Sequence, residues 1–215
     1  MKRIIKKLLR KIINTVQNFK EKNSHKKFLQ ENIHLLDADG IQTHLTSQEK
    51  RVLYKLSRGF AKKCIAVEIG SYVGASSCFI AGGFTHDDSA LYCIDTWNND
   101  AMTEGNIDTF HKFKYNCKYF LRKIKMVRGL SYEVVNKVRL LAGGNIDLLF
   151  IDGDHTYDGV KADWDSYSPM LQKGSVVVFH DIGWAEGVRK VIDEDVIGNV
   201  SSFESLPNLW WGSIK

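Results

Sequence analysis

The sequence predicts an α/β fold: a doubly wound, mainly parallel sheet covered by helices on both faces, with an amphipathic helix added at the N-terminus. Three observations predict it. Five short apolar runs alternate with helix-patterned stretches between residues 64 and 194, and such alternation implies parallel strands joined by crossover helices. A last pair of strand-like runs, VSSFESL and NLWWGSI, meets across Pro207-Asn208 and reads as an antiparallel hairpin. Residues 1–27 carry a helical apolar period of their own.

That first segment places Ile4, Ile5, Leu8, Leu9, Ile12, Ile13, Val16 and Phe19 on one side of a helix. Lys2, Arg3, Lys6, Lys7, Arg10, Lys11 and Asn14 fall on the other. Basic residues interrupt the apolar ones too often for a secretory signal or a span of about 20 residues across a bilayer. Two placements of residues 1–22 stay open. One lies on an anionic, cytoplasmic membrane face, where each basic side chain contributes about 1 kcal/mol. The other packs on the domain, on a second copy in a homo-oligomer, or on a partner. Residues 28–59 form a helical lead-in, in which Thr46-Ser-Gln-Glu49 is a capping box opening a helix that runs to about Gly59. Residues 60–215 form the main domain.

In that domain the strand-like runs are CIAVEIG (64–70), ALYCID (90–95), KIKMVRG (123–129), IDLLFID (146–152) and SVVVFHD (175–181). Helical stretches fall near 75–83, 107–121, 131–142, 156–171 and 184–194. With two prolines in 215 residues there is no Pro-rich hinge, and no repeat or low-complexity linker divides the chain.

Charge narrows the function. The net charge is +5, but residues 1–27 hold ten Lys and Arg against one Glu, so the first segment carries +9 and the rest −4. A domain that bound nucleic acid through phosphates would carry its basic excess on itself, so no nucleic-acid partner is expected. The four cysteines, Cys64, Cys78, Cys93 and Cys117, form no C-x-x-C pair and sit in apolar patterns. Buried thiols favour a reducing compartment, hence a cytoplasmic location.

Ligands of such sheets bind beyond the carboxyl ends of the strands. The first end reads AVEIGSYVGASS: Glu68 closes the strand, Gly70 permits a tight turn, and Gly74 lets the next helix start close under a ligand. The G-x-G-x-x-G spacing of dinucleotide folds is missing. The second strand ends in Asp95, 25 residues after Gly70, where a carboxylate can accept both hydroxyls of a ribose, and Trp97 adds a ring able to cover a flat ligand. The third ends in Arg128-Gly129-Leu130-Ser131, where Ser131 is either a helix cap or part of a site. The fourth and fifth end in Asp152-Gly153-Asp154-His155 and His180-Asp181. Taken alone, each of these is also a polar turn or a helix cap. Asp158, Asp163 and Asp165 read as the solvated face of the following helix.

VEIGSYVGASS, LYCIDTW, VRGLSYE, IDLLFIDGDHTYDGVKADW and GSVVVFHDIGW together resemble a class I S-adenosylmethionine-dependent methyltransferase, in the subgroup of the macrocin-type and catechol-type O-methyltransferases. The resemblance covers about residues 60–215. It implies a Rossmann-like, seven-stranded sheet with an antiparallel last strand. It implies that Glu68, Gly70, Ser71 and Gly74 face the methionine portion of the donor, that Asp95 holds its ribose, and that Trp97, Leu130 and Ser131 border its adenine, with Asp152 beside the donor. Asp152, His180 and Asp181 would hold Mg²⁺ or, given a histidine in the set, Mn²⁺. His155 stands where the family places its general base, with Asp152 as its catalytic companion and Asp154 as a ligand or support. The implied acceptor is a hydroxylated small molecule, a sugar or a glycan intermediate. The segment 98–108, which carries Gly105 and precedes His111, has the length and polarity of a lid.

Overall fold

The computed structural model describes residues 2–98, 105 and 107–215; within its first helix the side chains of residues 2–5 and 7–14 are not described. Most of the expected lid at 98–108, and the expected apolar face at Ile4 through Ile13, therefore lie outside what is described. Eight α-helices and seven strands are defined. The first helix, α1 (Lys2–Glu31), runs past the expected end of the basic segment, because Phe28 is buried against the domain. It is followed by the short α2 (Leu36–Asp39) and by α3 (Ser47–Arg58), which starts at the expected capping box: Thr46 Oγ1 accepts from Glu49 N–H, and Glu49 Oε2 accepts from Thr46 N–H at 2.7 Å.

The alternating part follows in chain order: β1 (Ile65–Ile69), α4 (Ala75–Gly83), β2 (Ala90–Asp95), α5 (Phe110–Asn116), β3 (Ile124–Arg128), α6 (Ser131–Leu141) and β4 (Ile146–Ile151). It continues with α7 (Tyr157–Tyr167), β5 (Leu171–His180), α8 (Glu186–Val191), β6 (Val200–Ser205) and β7 (Leu209–Ile214). The sheet order is β3-β2-β1-β4-β5-β7-β6. Strands β1 to β5 are parallel, whereas β7 enters antiparallel between β5 and β6, which is the hairpin read at Pro207-Asn208. Strand order reverses between β1 and β4, so a crevice opens at the carboxyl ends of these two strands.

Register decides what lines that crevice. Ile69 stands beside Ile94 on one side and Ile151 on the other, and Ile151 stands beside Phe179. The next residues, Gly70, Asp95, Asp152 and His180, therefore emerge on one rim. Below it the strands bury both faces, which explains why they read as continuous apolar runs. Ala66, Leu91, Cys93, Leu148 and Phe150 pack under α3, α4 and α5, while Val67, Ile94, Leu149, Ile151 and Phe179 pack under α6, α7 and α8. Strand β5 begins four residues before the expected run, since Leu171 pairs with Ile146 ahead of a register shift.

Three successive buried charges at the start of α3 tie the lead-in segment together and to the domain. Glu49 faces the end of β5, Lys50 bonds Asp39 at 2.9 Å, and Arg51 bonds Glu21 of α1 at 2.7 Å. All four cysteines are free and buried, as their apolar surroundings suggest.

Candidate active site at the strand ends

The β1–α4 turn is built on glycines. Gly70 has φ +86°, and a Cβ there would stand 2.1 Å from the carbonyl oxygen of Asp152, so only glycine lets the two strand ends approach this closely. Gly74 has φ +94° and opens α4. Asp95 clamps this turn from the neighbouring strand. Its Oδ2 accepts the backbone N–H groups of Ser71 and Tyr72 at 2.8 and 2.7 Å, and its Oδ1 accepts that of Trp97 at 2.6 Å. Gly70, Ser71, Gly74 and Asp95 thus form one cradle.

Glu68 lies beneath that cradle rather than in it. Its strand position turns it toward α4, where its Oε2 accepts the hydroxyls of Ser71 (2.8 Å) and Ser77, and burial pushes its carboxyl up. The expectation for Trp97 is corrected outright. Its ring is fully buried between Phe110 and Phe113, with centroids 5.0 Å from each, so it is core and has no free face for an adenine. Leu130 is exposed at the next strand end, in keeping with a border. Ser131 donates its hydroxyl to Asp163, which is buried under α6 instead of lying on a solvated face, and burial raises that carboxyl to about 6.

At the ends of β4 and β5 the structure gathers Asp152, His155 and Asp181, each offering one ligand atom within 4.8 Å of the others. His155 Nε2 lies 2.8 Å from Asp181 Oδ2, and this contact raises the imidazole pKa against the opposing effect of burial. The expected triad contained His180 in place of His155. His180 is instead sunk behind the rim, with Nδ1 3.0 Å from Asp152 and 3.2 Å from Asp181, and Nε2 3.7 Å from Glu49. Burial opposes its protonation, but Asp152, Asp181 and Glu49 outweigh that and push it up to about 12. A charged imidazole has no lone pair for a metal. Burial raises Asp152 despite that cation, whereas its histidine partners hold Asp181 far below the usual carboxylate range although burial opposes this. Asp154 turns away, accepting Thr156 N–H at 2.7 Å in the first turn of α7, so Asp181 rather than Asp154 orients His155.

Sequence reasoning missed three contributors. Glu49 carried only a capping signal, Asn208 only a turn signal, and Trp184 could be read only as one of several aromatic rings that either stack on an acceptor or fill a core. Asn208 donates to Asp181 Oδ1 at 3.0 Å, and the Trp184 indole N–H donates to the same oxygen at 2.8 Å. Among the described residues three non-glycines have left-handed φ, namely Tyr72 (43°), Trp97 (52°) and Asp181 (62°), and all three lie at these strand ends. Backbone strain of this kind persists where surrounding contacts over-determine it, often at functional sites.

Residues 67–182 match the family described as a methyltransferase domain, and since the match takes in more than half of the chain, the chain belongs to that family. An uncharacterised protein, y4gI, of Sinorhizobium fredii is 31% identical over 119 residues, which are 54% of this chain and 13% of that protein. An uncharacterised protein of Acanthamoeba polyphaga mimivirus is 31% identical over 77 residues, 34% of this chain and 35% of that one. The chain therefore spans well under two thirds of the length of these curated relatives. Among solved structures, the O-methyltransferase from Bacillus cereus in complex with SAH superposes with a TM-score of 0.65 at 14% identity, over 90% of this chain and 91% of that one. TomG from Streptomyces achromogenes, an O-methyltransferase of tomaymycin synthesis in complex with SAM, gives 0.64 at 14% identity, over 86% and 88%. MycE of the mycinamycin pathway, in complex with Mg, SAH and mycinamycin VI, gives 0.55 at 15% identity, over 80% of this chain and 50% of that one. At these identities the likeness is one of fold.

Proposed function

We propose that the chain transfers a methyl group from S-adenosylmethionine to a hydroxyl oxygen of a small acceptor, a sugar or glycan intermediate being the leading class. The observation that carries this reading is the convergence of Asp152, His155 and Asp181 on the same rim as the Gly70–Gly74 cradle and Asp95. The donor-bound complexes of similar fold, and the acceptors in their names, support it. The cradle fits a nucleoside-bearing donor, because three backbone amides fix the Asp95 carboxylate at the strand end where a ribose would lie, and Leu130 borders the adenine side.

His155 takes the acceptor's proton. With Asp181 on Nε2, the proton of the neutral ring sits there and Nδ1 is the basic nitrogen, while the Asp181 carboxylate stabilises the imidazolium that forms. The donor set of two carboxylates and one imidazole would also fit a divalent cation such as Mn²⁺ or Mg²⁺, held by Asp152, Asp181 and His155, and in that reading His155 would be a ligand rather than the base. When bound, that cation supplies Lewis acidity that lowers the pKa of an acceptor hydroxyl. A metal-independent reaction is the second reading, favoured by the direct His155–Asp181 contact. Methyl-transfer assays after exhaustive chelation separate the two: loss of activity restored by Mn²⁺ or Mg²⁺ supports the metal reading, and full survival supports the other. Absence of any transfer from S-adenosylmethionine overturns both.

Residues 1–22 are proposed to lie on an anionic membrane face. On this segment, with eight Lys and Arg against one Glu for +7, Val16 and Phe19 are 47% and 65% exposed, and no helix among the described residues is long and apolar enough to cross a membrane.

A further inference from the structure

We propose that Trp184 is the platform on which the acceptor's ring lies, and therefore the residue that selects ring-bearing acceptors over acyclic ones; this rests on the methyl-transfer reading above. Trp184 is 61% exposed, whereas Trp97, Trp164 and Trp210 are buried and Trp211 is partly so. An exposed indole is common enough, but this one is held in place. Its N–H donates to Asp181 Oδ1 at 2.8 Å, and Asp181 O accepts the backbone N–H of Trp184 at 3.3 Å and that of Ala185 at 2.9 Å. The preceding Gly183 donates its N–H to Asn208 Oδ1 at 2.9 Å, and a Cβ at Gly183 would stand 2.8 Å from that oxygen and from Pro207 O. The turn is thus pinned from both sides.

The same carboxylate serves the base. Asp181 Oδ2 contacts His155 Nε2 while Asp181 Oδ1 receives the indole N–H, and the two rings stand 4.8 Å apart between centroids at 53°. A tilted pair of rings, one basic and one offering a bare apolar face, forms a corner. An acceptor ring lying against the indole presents its edge hydroxyls to His155 and to the Asp152–Asp181 side. An acyclic polyol offers the same hydroxyls but no flat face, so it gains nothing from the platform. Preorganisation matters because a side chain already fixed loses little entropy when the acceptor binds.

The test uses catechol and methyl β-D-glucopyranoside, rings with vicinal hydroxyls, against glycerol, an acyclic diol unit. Each is titrated calorimetrically into the full chain saturated with S-adenosylhomocysteine. The wild type is expected to prefer at least one ring probe over glycerol by roughly tenfold, the scale of an aromatic contact with its buried area. Trp184→Ala is expected to remove that preference, while Trp184→Phe, which keeps a ring but loses the N–H anchor, keeps most of it. S-adenosylhomocysteine affinity stays the same in all three proteins, which shows that the variants are folded. Equal responses of the wild type to the three probes, a null response included, overturn the proposal, as does a preference that survives in Trp184→Ala. A wild type that fails to bind S-adenosylhomocysteine sinks the methyl-transfer reading instead.

Discussion

Glu49 and His180 face each other across 3.7 Å, joining a helix that precedes the sheet to the end of its fifth strand. Both side chains are almost wholly buried, and Glu49 also closes the capping box with Thr46. His180 is therefore a cation enclosed by Glu49, Asp152 and Asp181, and removing one partner of a buried charge is costly even when others remain.

Glu49→Gln keeps a capping-box acceptor and removes only the charge, so it should cost about 1–2 kcal/mol. Glu49→Leu removes both contacts and should cost about 3 kcal/mol or more. Urea unfolding at neutral pH reads the difference. Equal losses in the two variants would mean that the charge alone matters, and no loss in Glu49→Gln would mean that the cap alone does.

Asp163 gives a pH prediction with a definite sign. Its carboxyl is raised from 3.8 to about 6, chiefly by burial, so its contribution is full below pH 3.8 and is lost as pH rises through 6. A shift of this size is worth about 3 kcal/mol at roughly 1.4 kcal/mol per unit. Asp163→Asn, which can still accept the Ser131 hydroxyl, should lack that loss. Between pH 4 and pH 7, which covers most of that span, the wild type should therefore lose about 2 kcal/mol more than the variant in unfolding free energy. Parallel pH profiles of the two proteins would contradict the burial argument.

Trp97→Ala should destabilise the ligand-free protein by about 3–5 kcal/mol, the usual cost of emptying a large aromatic site in a core. A loss below about 1 kcal/mol, combined with a large fall in S-adenosylhomocysteine affinity, would restore the ring to the adenine border.

The strands were legible because a sheet buried on both faces forces continuous apolar runs, and their ends could be placed on one rim by alternation alone. What stayed hidden was which way individual side chains turn there. Glu68 and Trp97 sit at the expected strand ends, yet packing against α4 and α5 turns them inward. Asp163 looked like one of several helix-face carboxylates, and only its meeting with Ser131 distinguishes it. Glu49 was beyond reach for another reason. Its local role as a cap accounts for it fully, and its second partner stands 131 residues later in the chain. His155 stands with Asp152 and Asp181 where His180 was expected, because sequence places both at the rim without saying which one the carboxylates enclose.

Deleting residues 1–22 should abolish co-sedimentation with vesicles containing phosphatidylglycerol, and replacing Val16 and Phe19 by Glu should weaken it about tenfold or more, by removing apolar contact and adding negative charge. High salt should weaken wild-type binding as well. Association that is unchanged by the deletion, or equal on neutral phosphatidylcholine vesicles, would refute a membrane role for this helix.

The central claim is that strand ends divide the labour, the Gly70–Asp95 side holding the methyl donor and the His155–Asp181 side handling the acceptor. Calorimetric titration of S-adenosylhomocysteine into the wild type, Asp95→Ala and His155→Ala tests it most directly. The wild type and His155→Ala should bind alike, while Asp95→Ala, which frees three backbone N–H groups, should bind about tenfold or more weakly. No binding by the wild type, or an equal loss in both variants, would contradict the account.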